Sequence, residues 1–158
     1  MNNADEYIQS GNDHYYANRL HDAIADYTHA INLAPDNALA YTQRASAYIE
    51  LGDYQQALAD LDEALRIDVD YWLAYYHRGL AYHRLQDAPC AIENFEESIR
   101  LQPQDMASYI QYALVYADRG DYHHAIAIYD RALSIQPDHK MLNVFKTLAR
   151  HKLAEKQN

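Results

Sequence analysis

The sequence repeats itself every 34 residues, and this period limits the possible folds more than any other feature of the chain. Pro35, Pro103 and Pro137 stand 68 and 34 residues apart, with Val69 where the missing proline would fall. Ala23, Ala57, Ala91 and Ala125 keep the same spacing, as do Tyr7, Tyr41, Tyr75 and Tyr109, and Tyr27, Leu61, Phe95 and Tyr129. Such a period marks stacked supersecondary units, each too small to bury its apolar face alone. The register sets four copies, at 4–37, 38–71, 72–105 and 106–139, followed by a segment at 140–157.

Inside each copy the spacing is helical. Tyr41, Arg44, Ala45 and Tyr48 fall at i, i+3, i+4 and i+7, as do Tyr75, Arg78, Gly79 and Tyr82, and Tyr109, Tyr112, Ala113 and Tyr116. The second half of a copy gives Ala57, Leu58, Leu61, Ala64 and Leu65, again one helix face. LGDY at 51–54 and RGDY at 119–122 separate the halves. Gly52 and Gly120 suit a helix end, Asp53 and Asp121 suit the cap of the next helix, and Pro89 after Asp87 suits a first turn. With only four Gly and four Pro in 158 residues, long loops are not expected. The expectation is an all-α chain of helical hairpins.

These residues closely resemble the tetratricopeptide repeat. That pattern has a bulky residue, a small one four later, Tyr, then Ala, an aromatic, Ala and Pro. It reads Tyr7, Gly11, Ala23, Tyr27, Ala30, Pro35 in the first copy and Tyr41, Ala45, Tyr48, Ala57, Leu61, Ala64 in the second. The third has Tyr75, Gly79, Tyr82, Ala91, Phe95, Ser98, Pro103, and the fourth Tyr109, Ala113, Tyr116, Ala125, Tyr129, Ala132, Pro137. His14, Val69, Ser98 and Ala88 depart from it, Ala88 standing where Tyr54 and Tyr122 carry a ring, so a looser inner turn is expected in the third copy. The resemblance implies one α-solenoid domain, a right-handed superhelix of four antiparallel hairpins closed by a terminal helix. Its implied role is a non-enzymatic scaffold that holds a peptide or helical segment of a partner protein in a concave groove.

In the resembling family the first helix of each hairpin lines that groove. The inward face then carries Asp5, Ile8, Gln9, Asn12, Tyr15 and Tyr16 in the first copy, and Leu39, Thr42, Gln43, Ser46, Ile49 and Glu50 in the second. It carries Leu73, Tyr76, His77, Leu80, His83 and Arg84 in the third, and Ala107, Ile110, Gln111, Leu114, Ala117 and Asp118 in the fourth. Gln9, Asn12, Gln43 and Gln111 form a line of amides able to pair with an extended backbone, beside apolar Leu80, Ile110 and Leu114. Chaperone-binding members of the family grip a peptide carboxylate with Asn, Lys and Arg. Asn12 matches one such Asn and Gln43 replaces the other, but the cationic slots hold Ile8, Leu73 and His77. A co-chaperone-type adaptor is therefore a minor expectation, kept open by a His77 that could become cationic at low pH.

Charge divides the chain. Residues 1–138 hold 22 acids against eight Arg and no Lys, whereas residues 139–158 hold four Lys and one Arg against one acid. A net charge of −10 argues against nucleic acid as a partner. The last segment reads as a closing helix with an apolar stripe of Met141, Leu142, Phe145, Leu148 and Ala149; its basic face either is merely solvated or touches an acidic surface. Homo-oligomerisation through this helix or the solenoid ends is the alternative function, with a monomer favoured. Cys90 is alone and fits a small packed residue. No phosphate loop, nucleophile elbow or metal motif is present, and His77 and His83, or His123 and His124, fall on different helix faces, so neither enzyme activity nor a cofactor is expected. The first residues carry no basic or apolar leader pattern, which sets the expectation of a cytoplasmic protein without membrane insertion.

Overall fold

The computed structural model of the protein describes residues 3–157. Its helices run α1 Asn3–Tyr16, α2 Leu20–Leu33, α3 Ala38–Leu51, α4 Tyr54–Ile67, α5 Trp72–Arg84, α6 Ala88–Leu101, α7 Met106–Asp118, α8 Tyr122–Ile135 and α9 Lys140–Gln157. Each helix packs on the next in sequence, and the first helices of the hairpins also touch one another, α1 on α3, α3 on α5 and α5 on α7.

Local chemistry sets the boundaries. The side chains of Asn37, Asp53, Asp87, Asp105 and Asp121 accept backbone N–H bonds from the first turns of α3, α4, α6, α7 and α8. Pro89 lies in the first turn of α6, where a missing N–H costs nothing. The turn inside each hairpin passes through the left-handed region at one register, Asn18 (φ 57°), Gly52 (φ 81°), Gln86 (φ 61°) and Gly120 (φ 75°). Two of the four hairpins thus make this turn without glycine, which the sequence pattern does not reveal.

The ladders form the core. Ala23, Tyr27 and Ala30, and their equivalents in the other three hairpins, are at most 1% exposed. Small residues let the two helices of a hairpin approach. A Cβ on Gly79 would meet the Phe95 ring at 2.8 Å, and one on Gly11 would meet the Tyr27 ring at 2.5 Å.

A polar ladder of the same period binds neighbouring hairpins. Arg44 holds both oxygens of Asp60, at 2.8 and 2.7 Å, and donates to Thr28 Oγ1 of the preceding hairpin. Arg78 donates to Asn94 in its own hairpin and to Asp62 in the one before. The Tyr112 hydroxyl donates to Glu96, and Lys146 pairs with Asp130. Positions 44, 78, 112 and 146 are 34 apart, so α9 takes the place of the first helix of a further hairpin.

That placement corrects the reading of the terminal stripe. Leu142 and Ala149 are buried and Phe145 stacks on Tyr129 at 6.2 Å, but Met141 and Leu148 stay 56% and 53% exposed. Of the first eight helices only α8 packs closely on α9, so part of the stripe has no cover. Lys156 lies over the Tyr122 ring and donates to the Gly120 carbonyl, so part of the basic surface is used within the chain. Among the described residues, no helix is long and apolar enough to cross a membrane.

Candidate functional groove

Because α1, α3, α5 and α7 stand side by side, their shared face is one surface. The structure divides the residues predicted for it into three groups. Ile8, Thr42, Ser46 and Ile110 are buried, Thr42 completely, and give that surface little or no side chain. The Thr42 hydroxyl donates to the Ala38 carbonyl and the Ser46 hydroxyl to the Gln43 carbonyl, so both are absorbed by their own helix. Assigning these four to a ligand surface is corrected by their burial, Ile8 packing among Ala30, Ile31 and Ala40 and Ile110 within the core of the third and fourth hairpins.

A second group is structural in part. Asn12 Oδ1 accepts from the Tyr27 hydroxyl at 2.8 Å and from Gln43 Nε2 at 2.9 Å, joining α1, α2 and α3. Gln9 donates to Asp13 within α1. Leu80 is half-buried and packs against two core clusters, one on each side of α5. Tyr76 meets Phe95 and His77 edge-on, at 6.2 and 5.2 Å. Burial pushes the Tyr76 phenol up, and the Asp105 carboxylate and the Tyr15 phenol add to the effect.

The third group remains on the accessible wall. Leu73, Tyr76, His77, Leu80, Gln111 and Leu114 are half-buried, Gln9 and Arg84 are exposed, and the Gln111 amide has no protein partner among the described residues. His77 keeps some contact with solvent, yet burial among the surrounding helices pushes its imidazole down to about 4. It is neutral at neutral pH and at mildly acidic pH, so the cationic form expected at low pH requires a pH near 4 or below. Arg84 lies at the end of α5, away from the middle of the row, and lines a separate cavity with His83 and Asp118. Nothing but the local departures from the repeat pattern at 86 and 88 could have pointed to that cavity from sequence. Among the described residues no three His, Cys, Asp or Glu side chains are placed to share a metal ion.

Three repeat models match the chain. One described as a TPR repeat matches residues 45–86, and two described as tetratricopeptide repeats match residues 26–59, and 73–105 with 107–139. No curated protein matches the sequence at significance. Among solved structures, the Arabidopsis OM64 TPR domain is 31% identical, with 73% of this chain and 95% of that one covered at a TM-score of 0.69. The first TPR of Spaghetti (RPAP3), bound to the HSP90 peptide SRMEEVD, is 26% identical over 74% of this chain and 93% of that one, at 0.70. The second TPR domain of human RPAP3, in complex with the HSP70 peptide SGPTIEEVD, is 28% identical over 71% and 93%, at 0.66. With the buried small and aromatic ladders, the paired helices and these matches together, the chain belongs to the tetratricopeptide repeat family and is an all-α solenoid.

Proposed function

We propose that the protein is a non-catalytic scaffold whose row of first helices holds a segment of a partner protein. The observation that carries this reading is the mixed surface along α5 and α7. Half-accessible Leu73, Tyr76, Leu80 and Leu114 stand beside the Gln111 amide, which has no internal partner among the described residues. Apolar side chains of a bound segment would be covered by the first four, and its backbone would pair with the amide, which both donates and accepts. The relatives solved with peptides support the general mode. Both of their peptides end in acidic residues, whereas here Ile8, Leu73 and His77 place no fixed charge on the groove floor. A segment with apolar anchors suits it better than a chaperone tail.

The test avoids Leu80, whose packing on two clusters ties it to the fold. Peptides selected by display on the native protein are compared with Leu73→Lys/Gln111→Lys, both changes at half-accessible positions. Peptides that bind wild type and lose about tenfold or more on the folded variant support the groove. Peptides indifferent to the change remove it.

A second reading is self-association through α9, favoured by the exposed Met141, Val144 and Leu148 on one side of that helix. It requires a mass in solution that rises with concentration and falls to the monomer in Val144→Asp/Leu148→Asp. A concentration-independent monomer excludes it.

A further inference from the structure

The inner turn of the third hairpin carries two unusual residues for its register, Gln86 and Ala88, and both line one cavity. Position 88 carries Ala where the other hairpins hold Leu20, Tyr54 and Tyr122, and the two rings pack against the core of their own hairpins. Without that ring, a cavity of about 640 Å³ opens between the ends of α5 and α7 and the start of α6. This is ample for an amino-acid side chain. At position 86 the backbone is left-handed (φ 61°), but the residue is Gln, where the second and fourth hairpins use Gly52 and Gly120. A long side chain in that conformation is held against its preference, and Gln86 spends it on the cavity wall.

The charges on the wall are equally selective. Residues 1–138 contain eight arginines. Arg44, Arg66, Arg78 and Arg100 are in ion pairs, and Arg131 lies over the Tyr109 ring. Arg19, Arg84 and Arg119 have no ionic partner among the described residues, and the last two line this cavity. Their positions do not follow from the repeat. The residues one repeat earlier are Glu50 and Leu85, so a cation is not needed there to complement a helix end. Asp118, the acid among the lining residues, is already held by His83 Nε2 at 3.0 Å, a contact that ties α7 to α5.

We propose that this cavity is a carboxylate-binding site, taking a glutamate or aspartate side chain of a partner segment between the forks of Arg84 and Arg119, with the Gln86 amide as a further donor. A guanidinium presents paired N–H groups matched to a planar carboxylate. Two unpartnered forks in a chain otherwise rich in acids give the partner a defined acidic position at the end of the groove helices. The site extends the groove reading, and its test stands apart from it.

A blocked tetraglutamate amide, its tetraglutamine counterpart and inorganic phosphate are each titrated into the full chain, following the side-chain Nε–Hε signals of arginine by NMR. The expected result is a saturable shift of Arg84 and Arg119 with tetraglutamate alone. Affinity falls about tenfold or more in Arg84→Ala/Arg119→Ala, as expected for lost charge-assisted bonds. Ala88→Tyr restores the ring of the repeat, fills the cavity and abolishes the shift while both arginines remain. Leu73→Lys/Gln111→Lys leaves tetraglutamate binding in place, so loss of the groove and loss of the cavity are read separately. No saturable shift, equal shifts with tetraglutamine, a response to phosphate only, or full binding by Ala88→Tyr each overturns the assignment.

Discussion

His77 links groove geometry to acid stability. Burial among α5 and its neighbours holds its imidazole down to about 4 in the folded chain, against 6.5 for the free side chain. Between those two values the unfolded chain binds a proton that the folded chain refuses. The contribution is therefore absent above the unfolded pKa, and stability is lost progressively as pH falls from about 6.5 toward 4. Integrating the linkage relation over these two pKa values gives a loss of about 2 kcal/mol between pH 7 and pH 5 from this one residue. Other histidines and carboxylates add their own terms, so the perturbation is His77→Gln, which keeps a polar side chain and removes the titration. Urea unfolding of both proteins at pH 7 and pH 5 isolates the difference. Wild type should lose about 2 kcal/mol more than the variant, a shift in midpoint of about 1 M at an ordinary dependence on urea. A parallel loss in both proteins, or an imidazole that titrates near 6.5 by NMR, refutes the idea that the groove wall desolvates His77.

Two further outcomes follow from packing. Arg44→Ala leaves the Asp60 carboxylate, 7% exposed, without its bidentate partner and should cost about 3 kcal/mol in thermal or urea unfolding; a loss under about 1 kcal/mol would show that water replaces the guanidinium. Gly79→Ala improves helix propensity by about 1 kcal/mol but places a methyl 2.8 Å from Phe95. The expected net loss is about 1–2 kcal/mol, with partial recovery in Gly79→Ala/Phe95→Leu, which copies the Ala45 and Leu61 pairing of the second hairpin; an unchanged or higher melting temperature would show that the Phe95 ring moves aside freely.

Much of the fold was legible from short-range spacing. The period, the helix faces and the capping residues depend on which side chains lie three, four or a few residues apart, and on their volumes. Ala23, Tyr27 and Ala30 could be assigned to the core because only small and large residues in alternation allow two helices to touch and leave no gap. The groove was legible as a face and not as a surface. Thr42 and Leu73 occupy equivalent inward helices, yet Thr42 is fully buried and Leu73 is half accessible. The Arg44 and Asp60 pair does not show in the spacing, because a charged pair sixteen residues apart has no meaning until the hairpin is closed.

The sequence by itself thus determined the helices, their pairing into hairpins and the residues that fill each hairpin, since all of these are set by local periodicity and side-chain volume. The tertiary structure alone decided which part of each inward face stays open, how much of α9 is covered and where a missing ring leaves space. Those depend on how far each helix turns about its own axis against the next hairpin, a rotation fixed by contacts between residues far apart in the chain.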